Sequence, residues 1–138
     1  MKSQLLYDKF KSSVKIYVIL LYGIALLTNS FTGSGNILGF QSLLFGGLTI
    51  LFGLIPAFVA WSANLTFLIA ITRKHHKVKL LFSGLSLIMG SAAIMVNELP
   101  IHEGSTTSSV KIGIGFYFWA SSFSLLFIDS IINYKKSN

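Results

Sequence analysis

From Ile37 to Thr72 the chain runs without one charged side chain, and it then meets Arg73-Lys74-His75-His76-Lys77-Val78-Lys79, its densest basic run. A stretch of that length has one solvent in which nearly every side chain is at home, and that solvent is hydrocarbon. Composition agrees: 53% of the 138 residues are hydrophobic and 11% charged, where soluble domains carry about 25% charged residues. At about 20 residues per spanning helix plus a connection, the length admits one membrane domain of three to five spans. The absence of cysteine removes disulfides, thiolate nucleophiles and cysteine metal sites from consideration.

Four spans are expected, in an all-α bundle. The first covers residues 13–30, behind a basic stretch with Lys2, Lys9, Lys11 and Lys15 against Asp8. No A-x-A-like site follows its apolar run, which predicts an uncleaved helix instead of a signal peptide. Residues 29–36 are uncharged and rich in turn formers, a loop on the far side. The stretch from Ile37 is too long for one span and too short for two. It divides into an interfacial segment, 37–46, and a long span, 47–72, kinked at Pro56. The third span is 80–96 and the fourth 111–132, joined by a polar loop that holds Glu98, His102 and Glu103.

Sidedness follows from the basic residues. Lys2, Lys9, Lys11, Lys15, Arg73, Lys74, Lys77, Lys79, Lys135 and Lys136 fall on one side of this threading, and Lys111 alone on the other. The positive-inside rule then makes both termini cytoplasmic. The net charge of +7 is accounted for by an anionic leaflet, with no nucleic-acid partner. Arg73, Lys74, Lys77 and Lys79 are the expected lipid-headgroup contacts.

Groups that carry chemistry are few. His75 and His76 sit among cations, which disfavours a bound metal. Glu98, His102 and Glu103 have donor types that zinc accepts, but no second ligand cluster accompanies them, and a solvated loop is the plainer reading; no metal and no cofactor is expected. Asp129, near the end of the fourth span, reads as a headgroup-level acid paired with a lysine or as a functional carboxylate. Asn64 falls inside the charge-free stretch, where an amide must find a partner. Ser121, Ser122 and Ser124 are the candidates, and Asn64, Ser121, Ser122 and Asp129 together would make a polar track through several copies. Gly53 with Ala57, and Ser86 with Gly90, have the four-residue spacing of closely packed helices. Trp61, Trp119 and Tyr117 serve as interfacial anchors or as packing.

Trp61-Ser62-Ala63-Asn64, followed by apolar residues and a basic turn, and Gly115-Phe-Tyr-Phe-Trp119-Ala120-Ser121 give the chain a resemblance. It resembles a loose group of small uncharacterised four-helix bacterial inner-membrane proteins with Trp-x-Ala-Asn and Gly-Tyr-x-x-Trp-x-x-Ser patterns. Leu65 stands where a proline often follows the asparagine in that group. The resemblance implies a bacterial inner membrane and four spans, and no activity. The expected role is therefore non-catalytic, exercised through helix contacts within the lipid bilayer with another copy or a larger membrane protein. The alternatives are an immunity-type protein against a membrane-active toxin and a small oligomeric transporter or channel.

Overall fold

A computed structural model of the chain describes residues 2–33, 35–100 and 107–137. It is mostly helical, with a small sheet at one end. The order is α1 (Lys2–Leu27), β1 (Asn29–Gly33), β2 (Ile37–Leu38), α2 (Gly39–Phe45), a 3₁₀ stretch (Gly46–Phe52), α3 (Ile55–Thr72) and α4 (His76–Ser91). A second 3₁₀ stretch (Ala92–Met95), β3 (Glu98–Pro100), β4 (Thr107–Ile112) and α5 (Ile114–Ser137) follow. Among the described residues, three helical stretches are long and apolar enough to cross a membrane: Ile55–Thr72, His76–Met95 and Ile114–Ser137. The apolar part of α1, Val14–Leu27, and the stretch Gly39–Phe52 are shorter.

The long second helix expected over 47–72 does not form. Residues Gly46–Phe52 make a 3₁₀ stretch closed by Gly53 at φ 70°, a left-handed conformation that glycine adopts without a Cβ penalty. α3 starts only at Ile55, and Pro56 lies in its first turn, where a missing N–H costs nothing and the fixed φ suits a helix start. The proline begins a helix and does not kink one. Gly53 lies outside α3, so Gly53 and Ala57 are not a helical pair. Other ends shift as well: α1 stops at Leu27, the third helix opens at His76, and α5 opens at Ile114 and runs on to Ser137. Lys111, expected to start the last helix, belongs to β4.

The stretches expected to be plain loops, with the first residues of the expected interfacial segment, pair as a four-stranded sheet in the order β2-β1-β4-β3. β1 runs antiparallel to β4, with Phe31 opposite Ile112 and Thr32 opposite Lys111. β4 also pairs with β3, Glu98 opposite Ser109. This pairing joins the end of α1 to the start of α5, whereas an ion pair between Lys79 and Asp129 joins the start of α4 to the end of α5. The sheet and the basic turn at residues 73–75 therefore cap opposite ends of the bundle.

Two apolar clusters fill the interior. Under the sheet, Ala57, Val96, Leu99 and Val110 pack with Phe31, Ile37 and Leu54. Deeper in the bundle are Val18, Ala63, Phe67, Ala70, Phe123 and Leu126. Lipid tails are as apolar as leucine, so helices in a bilayer associate by close fit and not by exclusion from water. Small residues supply that fit. Ser83, Ser86 and Gly90 are buried along α4, and a Cβ at Gly90 would press on the rings of Phe123 and Trp119 at 3.3 Å. Gly90 thus marks a close contact with α5.

Backbones also approach closely where the sheet meets α1 and α5. A Cβ at Gly113 would collide with the carbonyl of Asn29, and one at Gly115 would stand 2.9 Å from the carbonyl of Thr28. Gly113→Ala is expected to cost about 1–3 kcal/mol by overpacking. Gly23, in α1 with open space around it, serves as the control, since Gly23→Ala should add about 0.5–1 kcal/mol of helix propensity. Thermal unfolding in mild detergent distinguishes them: the first should melt below the parent chain, the second at or above it.

Candidate functional site

Asn64 is buried on α3 and closes three hydrogen bonds. Its Oδ1 accepts from the hydroxyl of Tyr22 on α1 and from the indole Nε1 of Trp119 on α5, each at 2.8 Å. Its Nδ2 donates to the carbonyl of Trp61 one turn earlier, at 2.9 Å. One amide thus ties three helices at a depth where an unpaired polar group would cost several kcal/mol. Rings crowd around it: Tyr22 stacks on Phe67 at 4.7 Å and Phe67 on Phe123 at 4.8 Å, and Trp119 meets Phe123 at a tilt, 4.5 Å between centroids. α3 passes through Asn64 and Leu65 as unbroken helix. The two sequence motifs therefore meet, Asn64 of the first binding Trp119 of the second.

The serines expected to partner Asn64 do other things. Ser121 is exposed, and Ser124 donates to the carbonyl of Ala120. Ser122 is fully buried, and its hydroxyl has no partner among the described residues. Tyr22 and Trp119, which do bind Asn64, were overlooked because an aromatic residue in an apolar run reads first as packing. Trp61 packs too: its Nε1 donates to the carbonyl of Leu43 at 2.7 Å, and the absence of side chains at Gly46 and Gly47 lets the 3₁₀ stretch lie against its indole. Tyr117 is exposed.

Asp129 finds a lysine, as expected, but one on another helix. Its Oδ2 accepts from Lys79 of α4, and its Oδ1 accepts from Nδ2 of Asn133 at 2.9 Å. Lys79 stands in the first turn of α4, where the helix dipole opposes a cation, and the carboxylate offsets that field. Of the four basic residues expected at lipid headgroups, Arg73, Lys74 and Lys77 are exposed, while Lys79 turns inward to Asp129. At the sheet end, Glu98 accepts from the Thr107 hydroxyl at 2.6 Å; His102 and Glu103 lie outside the described residues. Among the described residues no group of His, Asp and Glu is arranged to hold a metal ion.

Between the amide and the sheet lies a cavity of about 480 Å³, within the range of small-ligand sites. Ala25 of α1, Ala57 and Ala60 of α3, and Ala93 after α4 line it, with Asn64 and Trp119 among its walls. The stretch Gly39–Thr49 forms one side and contributes Ser42, whose hydroxyl is buried and unpartnered among the described residues. Among the lining residues only Asn36 and Phe45 are exposed, which puts the mouth between the β1–β2 loop and the end of α2. Open at that mouth, the space can be entered from outside the bundle. The arrangement therefore suits an occupant, and its walls select an uncharged, mainly apolar one.

No protein-family model, curated protein or solved structure matches the chain.

Two double-mutant cycles test the polar contacts. Asn64→Leu should destabilise by about 1–3 kcal/mol, because it leaves two donors unpaired, and adding Trp119→Phe should cost less than the sum of the single losses. Strict additivity in detergent unfolding would sink the three-helix bond. Asp129→Asn should likewise lose about 1–3 kcal/mol, a value discounted for partial exposure. The exchange Lys79→Asp with Asp129→Lys should recover part of that loss.

Proposed function

We propose that the chain is a non-catalytic, four-span protein of a bacterial inner membrane, with both termini on the cytoplasmic side. It acts through helix contacts with a second copy or a larger membrane-protein partner. The observation that carries this reading is the way its in-membrane polar groups are used. Asn64 is spent on Tyr22, Trp119 and Trp61, and Asp129 on Lys79 and Asn133, so both hold helices together. A transporter would need Asn64, Ser121, Ser122 and Asp129 along one wetted path; exposure of Ser121 beside a fully buried Ser122 speaks for packing instead.

The fourth span in this reading is α1. Its apolar part, Val14–Leu27, extends about 21 Å at 1.5 Å per residue, short of the roughly 30 Å of bilayer hydrocarbon, so this span relies on local thinning of the bilayer and on its flanking residues. Lys15, at its charged edge, can reach headgroups along its own alkyl stem. The start of α1, the turn after α3 and the end of α5 share one end of the bundle. The basic residues other than Lys111 therefore gather where an anionic cytoplasmic leaflet would meet them.

The cysteine-free sequence makes sidedness directly measurable. A membrane-impermeant maleimide added to intact cells should label Ser109→Cys, and should label Lys74→Cys and Ser137→Cys only after the membrane is opened. Labelling of Lys74→Cys in intact cells would overturn the orientation. Purification in mild detergent with mass determination then tests the mode of action: a defined homo-oligomer or a stoichiometric partner is expected, and a lone monomer would refute action through contacts.

A further inference from the structure

We propose that the cavity beneath the sheet is a binding site for a single lipid acyl chain, held with its carbonyl end at Ser42 and its tail against Ala57 and Ala60. The inference does not depend on whether the protein works alone or with a partner.

Three observations carry it. The first is wall chemistry: no charged side chain lines the cavity, and four alanines on three different parts of the bundle hold its space open. Leucines at Ala57, Ala60 and Ala93 would be equally at home in hydrocarbon and would fill it. The second is volume. At about 480 Å³ the cavity is of the size of small-ligand sites, enough for much of one acyl chain. The third is polarity at one end. The hydroxyl of Ser42, unpartnered among the described residues, needs an acceptor in an apolar setting, and the carbonyl of an ester or of a protonated fatty acid supplies one without adding a buried charge.

The mouth gives the direction of entry. Phe45 belongs to an exposed apolar row with Phe40, Leu44, Leu48, Leu51 and Phe52 along α2 and the 3₁₀ stretch, a surface suited to lipid tails. Asn36, on the other lip, lies in the polar connection after β1. A chain that enters past Phe45 therefore keeps its polar group near Asn36 and Ser42 and runs inward along α3, toward the closed amide of Asn64. The chemistry is common to a free fatty acid and to one tail of a phospholipid.

Photolabelling of the full chain in membranes tests this and separates the two sources. Palmitate carrying a diazirine near its chain end, and a phosphatidylglycerol with the same group on one tail, are each activated and their adducts mapped by mass spectrometry. Adducts are expected at Ala60 and Ala93, and unlabelled palmitate or phosphatidylglycerol in excess should suppress them about tenfold, as for a saturable site. Labelling by the first probe alone identifies a free acid, and by the second alone a phospholipid tail. Ala60→Leu should lower the interior adducts at least about fivefold while adducts on the exposed residues Leu65 and Ile88 persist and serve as the folding control. Ala57→Leu provides a second variant of the same kind. Interior adducts that neither probe forms, that excess lipid does not suppress, or that both leucine variants retain in full would overturn the proposal.

Discussion

Everything else in this bundle is arranged around one amide that has no water to turn to. In a bilayer the helices gain little from hiding apolar surface, so the contact that specifies their arrangement is the one whose loss would leave polar atoms unpaired. Asn64 draws Tyr22 of α1 and Trp119 of α5 onto α3, and the stacked rings of Tyr22, Phe67 and Phe123 follow from the positions those bonds impose. The ion pair of Lys79 and Asp129 does the same between α4 and α5 at the basic end.

The sheet is a consequence of the same constraint at the opposite end. Where helices stop, their last carbonyls and the connecting backbone need partners. Here the connections on that side satisfy themselves and one another: Gly39 donates to Thr28 within the first, Gly113 donates to Ser30 across the two, and β1 pairs with β4. This pairing fixes the separation of α1 from α5 and demands glycine at 113 and 115. It also roofs the space that alanines keep open below it, so the cavity and the cap are two results of one arrangement.

Much of the helical content was legible in the chain. The charge-free run and the basic run at residues 73–79 announce apolar helices and a sharp turn, because hydropathy and charge act residue by residue. Gly90 was readable as a close-packing position, and Phe123 and Trp119 press against it. The boundary at Pro56 was misread: proline is tolerated both at a kink and at a helix start, and the choice fell to Gly53, whose left-handed backbone ends the segment before it. The strands were not legible, since Asn29–Gly33 and Thr107–Ile112 are polar and short, and a strand of that kind exists only when its partner arrives.

The sequence by itself determined the solvent, the apolar helices and the gathering of basic residues in a few stretches, all of which are properties of local composition. Only the tertiary structure decided which polar groups meet. Tyr22 and Asn64 are 42 residues apart, Asn64 and Trp119 are 55, and Lys79 and Asp129 are 50. No local periodicity encodes those distances. They arise when helices pack closely enough that each buried donor must share an acceptor with a neighbour, and the same packing decides where alanine leaves room for something else.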